Sequence, residues 1–159
     1  MNFLRILGAV LVCLSGAYGA YSLNSGARRA LKQTEALISF VRFLRSQIEC
    51  FSMPLPRAIG RCPHDILEGC GYRNESSPEG LASFVTECGI LDDSVRRNME
   101  RFSEDAGKGY RDEQLALCDY WLSLLDARRA QLCSQLPLRI KVNSALSLAG
   151  AAAVVILLI

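Results

Sequence analysis

Charge is absent from two stretches of this chain and dense between them. Residues 6–23 (ILGAVLVCLSGAYGAYSL) and 142–159 (VNSALSLAGAAAVVILLI) contain no Asp, Glu, Lys or Arg. Eighteen helical residues rise about 27 Å, close to the thickness of bilayer hydrocarbon. Each run is therefore expected to form a transmembrane helix. Gly8, Gly16, Gly19, Gly150 and Ala151, Ala152 and Ala153 are small residues of the kind that permit close helix contacts in lipid. Arg28, Arg29 and Lys32 follow the first run, and Arg139 and Lys141 precede the second. The positive-inside rule then places the intervening residues in the cytoplasm. This divides the chain into an N-terminal transmembrane segment (1–25), a cytoplasmic helical domain (26–140) and a C-terminal transmembrane segment (141–159).

The central residues read as helix throughout. Leu31, Ile38, Val41, Leu44, Ile48 and Phe51 recur in steps of three, four and seven, the period of one helix face. No Pro or Gly interrupts 27–52, so this helix is expected to continue from the membrane segment. Met53-Pro54-Leu55-Pro56 ends it, because proline lacks an amide donor and disfavours helix at the residue before it. Short helices are expected over about 55–61, with Leu55, Ala58 and Ile59 inward, and from Pro63 to Gly69 or Gly71. Ser77-Pro78 predicts the next start, with serine capping and proline in the first turn. Leu81, Phe84, Val85 and Cys88 form that helix's stripe, and Gly89 closes it. Asp92 or Asp93 caps another, carrying Val95, Met99 and Phe102, and Gly107 and Gly109 break it. In the last helix Leu115, Cys118, Leu122, Leu125, Arg129, Leu132 and Leu136 follow three-four spacing, interrupted only by Arg129. Pro137 permits a kink before the second apolar run. No segment alternates convincingly as a strand, and the fold class expected is all-α.

Composition changes this picture little. The chain has 159 residues, half of them apolar, which excludes a mostly disordered protein. Of its 18 basic and 16 acidic side chains only Arg5 lies outside positions 24–141. A net charge of +2 gives no reason to expect nucleic acid as a partner. No P-loop, dinucleotide fingerprint or nucleophile elbow occurs, and the single histidine, His64, has no assignable triad partner. Asp92-Asp93, Glu104-Asp105 and Asp112-Glu113 fall at predicted helix ends, where they complement a helix dipole or solvate the chain. A carboxylate pair acting in the membrane interface is the enzyme alternative. The reading is instead a non-enzymatic protein with no cofactor and no small-molecule substrate. Arg96, Arg97 and Arg101 share a helix with Glu100 and Glu104 and form a candidate partner-binding surface.

The seven cysteines keep a second reading open. Arg5 and Ala17-Tyr18-Gly19 resemble the ends of a cleaved signal peptide. Six further cysteines and the sequon Asn74-Glu75-Ser76 would suit a disulfide-rich secreted or surface-anchored protein. Against it, the tail lacks a small-residue site followed by a polar spacer. The centre reads as long helices, and the flanking arginines point it inward. Cys62-Pro63-His64 with Cys70 offers no C-x-x-C pair, so no metal is expected.

Several local features coincide with those of one family. Phe43-Leu44-Arg45-Ser46-Gln47-Ile48-Glu49 leads into Met53-Pro54-Leu55, Met99-Glu100-Arg101-Phe102-Ser103-Glu104 precedes a glycine break, and Asp112-Glu113-Gln114 opens the last long helix. With the two terminal apolar runs, this pattern resembles stage III sporulation protein AB of endospore-forming bacteria. Gln47-Ile48-Glu49, Pro54-Leu55, Phe102 and Gln114 match best. Ser103 stands where the family usually has glycine, its leucine-glycine pair is replaced near Ala106-Gly107, and Pro137 interrupts a usually continuous region. The resemblance implies a helical domain similar to those of the type II secretion platform protein. It also implies membership of the channel-like complex between mother cell and forespore. The expected partners are the membrane, other stage III sporulation membrane proteins and a cytosolic secretion-type ATPase. The expected location is the mother-cell membrane around the forespore. Glu49 and Gln114 then join Arg96, Arg97 and Arg101 as candidate contact residues.

Overall fold

The computed structural model describes residues 2–158, and in the terminal stretches the side chains of 2–7, 9–13, 17, 20, 23, 148, 151–152 and 154–158 lie outside the description. Among the described residues there are six helices and no strand: α1 (Asn2–Phe51), α2 (Leu55–Gly60), α3 (His64–Gly69), α4 (Leu81–Glu87), α5 (Asp93–Asp105) and α6 (Arg111–Leu158). The fold class is all-α. The residues group into two compact units. One is Arg29–Gln131, and the other comprises the stretches up to Arg28 and from Leu132 onward.

In the central unit, α1 supplies more of the buried core than any other helix. Leu37, Ile38, Phe40, Val41, Leu44 and Ile48 are buried. Phe51, expected on the same stripe, is exposed, because α1 ends there and the chain turns away. Ser52 adopts a left-handed conformation (φ 47°), and its N–H donates to the Ile48 carbonyl at 3.1 Å. This is the αL way of closing a helix, with proline two residues on. The ring of Phe40 stacks on Phe84 of α4 with centroids 4.3 Å apart. Val95, Met99 and Phe102 are the buried stripe of α5, and Cys118, Trp121 and Leu125 that of α6. Fully burying an aliphatic or aromatic side chain of this size contributes roughly 1.5–3 kcal/mol.

One helix start differs from that expected, and the next agrees. Helix α4 begins at Leu81, not at Pro78. Gly80 is extended, its N–H donates to Ser83 Oγ at 3.2 Å, and the Ser83 hydroxyl donates back to the Gly80 carbonyl at 2.9 Å. Pro78 is buried ahead of the helix. Helix α5 is capped by Asp92, whose Oδ1 accepts the N–H groups of Ser94 and Val95, both at 3.0 Å.

In the other unit, Asn143 Nδ2 donates to Asn24 Oδ1 at 3.1 Å. Leu14, Tyr18, Tyr21, Leu138, Val142 and Leu146 are exposed. Helix α6 runs through Pro137 without interruption. Among the described residues, no helix is long and apolar enough to cross a membrane. Many side chains of the two runs expected to do so, 6–23 and 142–159, lie outside the description, as does that of Cys13.

Candidate functional site

The end of α1, the Pro54–Pro56 turn and the α5–α6 loop meet in the central unit around a cavity of about 270 Å³. Ile48, Met53 and Leu55 give it apolar walls, and Arg111 and Gln114 give it polar ones. Local chemistry builds each wall. Pro54 ends one helix and stands as the N-cap of α2. Gly107 (φ +87°) turns the chain after α5, a backbone region that glycine enters without steric cost. The Gln114 carboxamide oxygen accepts the Gly107 N–H at 2.8 Å, and Glu113 Oε2 accepts the Tyr110 N–H at 3.0 Å. The loop is thus tied to the first turn of α6.

Arg111 joins the two long helices. Its Nη2 donates to the Glu49 carbonyl at 2.6 Å and its Nε to the Ile48 carbonyl at 3.4 Å. A cation over the last carbonyls of a helix satisfies acceptors that have no partner within the helix and complements its dipole. The Glu49 carboxylate pairs with Arg45, which also reaches Asp119 of α6 at 2.6 Å. That shared contact holds the Arg45 guanidinium pKa above its ordinary value, first through the Asp119 hydrogen bond and charge and then through Glu49. Phe51 and Tyr110, beside the cavity in sequence, are 66% and 84% exposed.

The sequence candidates divide into two places. Glu49 and Gln114 converge on this end of the unit, the first through its carbonyl on Arg111 and the second on the cavity wall. Pro54 and Leu55, which carry the same resemblance, line the cavity. Arg96, Arg97 and Arg101 are exposed on α5 and none of them lines it. Arg96 pairs with Asp93 at 3.0 Å. Phe102 is a core residue.

Sequence reasoning did not single out Arg111, Gln33 or Arg128. Gln33 is buried, its Nε2 donating to the Cys70 carbonyl at 2.8 Å and the Cys88 carbonyl at 3.2 Å, and its Oε1 accepting the Leu91 N–H at 2.9 Å. Arg128 reaches the Asp92 carboxylate with two donors, at 3.2 and 2.8 Å. A polar residue inside an otherwise apolar helical pattern is the one available signal, and Gln33 carries it only weakly beside Lys32.

The lining offers a guanidinium, a carboxamide and apolar surface. That set suits recognition of an apolar side chain flanked by an acceptor on a partner. Comparison with known protein families, with curated proteins and with solved structures finds no match.

Proposed function

We propose that this protein is a non-enzymatic membrane platform subunit. Two apolar helices anchor it, and its central helical unit docks a cytosolic secretion-type ATPase. The complex is the secretion-like channel between mother cell and forespore in endospore formation, and the protein sits in the mother-cell membrane with its central unit in the cytoplasm. The observation that carries the reading is the convergence of Glu49, Pro54, Leu55 and Gln114 at one end of the central unit. These are among the residues on which the family resemblance rests, and Gln114 is far from the other three in sequence. The charge-free runs 6–23 and 142–159, each flanked by basic residues on the central side, support the anchoring. The Asn24–Asn143 hydrogen bond supports pairing of the two apolar helices, since such polar pairs hold helices together in lipid.

Co-purification of the full chain with the cytosolic ATPase tests the docking. Leu55→Asp and Gln114→Ala are expected to reduce recovery of the ATPase at unchanged membrane level. Recovery that survives both changes but fails with Arg96, Arg97 and Arg101 all changed to Glu would move the docking surface to α5. Recovery unaffected by any of these would reject docking through either surface.

A further inference from the structure

A second cavity in the central unit, about 540 Å³, is lined by Arg29, Lys32 and Arg73 together with Glu68, Glu87 and Leu91. Its size lies within the range of ligand sites. Among the described residues no ion pair involves Arg29, Lys32 or Arg73. One of the two carboxylates is occupied, because Glu87 Oε2 accepts a hydrogen bond from Asn74 Nδ2. Gln33, which also lines the cavity, spends its amide hydrogens on the carbonyls of Cys70 and Cys88. Leu91 at the same cavity is 57% exposed. Three cations beside an exposed aliphatic side chain suit a ligand that is anionic at one end and apolar at the other. Arg29 and Lys32 lie six and nine positions after the apolar run that ends at Leu23.

We propose that the Arg29–Lys32–Arg73 cavity binds the phosphate of an anionic phospholipid headgroup, with Leu91 against the glycerol and first methylenes. This rests on the membrane reading above. Basic residues beside a membrane attract anionic lipid by amounts that correspond to about fivefold in affinity each. Free phosphate shares the headgroup's charge but gives Leu91 nothing to cover.

The test uses the full chain in neutral detergent, with thermal unfolding followed by the fluorescence of Trp121. Dihexanoyl phosphatidylglycerol, dihexanoyl phosphatidylcholine and inorganic phosphate are titrated separately. The expected result is a saturable rise in the unfolding midpoint with phosphatidylglycerol alone. Changing Arg29, Lys32 and Arg73 together to Gln removes the rise, each single change weakens binding about fivefold, and Glu68→Gln strengthens it. The last variant removes a charge of opposite sign and does not depend on the triple variant remaining folded. An equal response to phosphatidylcholine, an equal response to phosphate, or a rise that neither Arg73→Gln alone nor Glu68→Gln alone changes overturns the proposal. Alkaline extraction of cell membranes containing the full chain separates the two failures. Release of the protein contradicts the membrane reading itself, whereas retention without phosphatidylglycerol selectivity contradicts only the headgroup site.

Discussion

Gln33 and Gly71 fit against each other so closely that a Cβ on Gly71 would lie 2.9 Å from Gln33 Nε2 and would run into the Cys88 carbonyl oxygen. Gly71 also has φ +98°, a conformation that L side chains rarely adopt. Gln33 in turn gathers the ends of α3 and α4 by accepting from Leu91 and donating to Cys70 and Cys88. Gly71→Ala is expected to cost about 3 kcal/mol, combining backbone strain with a clash that the backbone cannot yield to. Gln33→Leu leaves two carbonyls and one N–H without this partner and is expected to cost about 2–4 kcal/mol. Denaturant titration followed by Trp121 fluorescence measures both.

The Asp92–Arg128 pair predicts an acid-sensitive contribution. Burial alone would raise the Asp92 carboxyl pKa. The Arg128 hydrogen bonds and charge, with the Val95 and Ser94 N–H groups, outweigh it and hold the pKa below the ordinary carboxylate value. The two side chains are only 12% and 22% exposed. Because the folded value is depressed, the stabilisation is complete above about pH 5 and is lost as pH falls through the unfolded and then the folded value. Asp92→Asn keeps the cap but loses the charge, and is expected to cost about 1 kcal/mol near neutral pH. The gap between the two proteins should narrow progressively as pH falls below about 5 in urea titrations.

Thiol reactivity should divide by position. Cys50 and Cys133 are exposed, whereas Cys70, Cys88 and Cys118 are buried. Burial, aided by Glu87, pushes the Cys88 thiol up to about 12. Burial, aided by Asp119 and opposed by Arg45, pushes Cys118 up to about 11. Cys70 is raised as well, by burial and then by the neighbouring Cys88 and Cys62. Thiolate is the reactive form. Peptide mapping after brief maleimide treatment at pH 7 should find label on Cys50 and Cys133, and on Cys70, Cys88 and Cys118 only after unfolding.

Ser52 holds a left-handed backbone that glycine adopts without strain. Ser52→Gly is therefore expected to stabilise the protein by about 0.5 kcal/mol, the relief of strain being partly offset by a freer unfolded chain. A small rise in the urea midpoint at unchanged slope would check this.

The helices were legible where one periodic face met the core. The stripes Leu81-Phe84-Val85-Cys88 and Val95-Met99-Phe102 are buried as their spacing predicts. In α6 the seam through Cys118 and Leu125 is buried, but Trp121 is more deeply placed than Leu122, because 118, 121 and 125 make an equally good helical row. At Ser77-Pro78 the local start signal was sound in itself. Tertiary packing buries Pro78 ahead of the helix, and the cap passes to Gly80 and Ser83. The candidate site was legible only in part. Glu49 and Gln114 were found through resemblance, while Arg111, which holds the Glu49 carbonyl, carries no local pattern. A contact between residues 62 positions apart has no periodicity to announce it.

The proposed function puts the unit bearing Cys50 in the cytoplasm of a membrane-anchored protein. A membrane-impermeant maleimide applied to cells producing the full chain tests it most directly, with Cys50 as the exposed reporter. The expected result is no labelling of Cys50 in intact cells and full labelling after permeabilisation without any reductant. Labelling of Cys50 in intact cells, or labelling that requires prior reduction, would contradict it and favour a disulfide-bonded domain outside the cell.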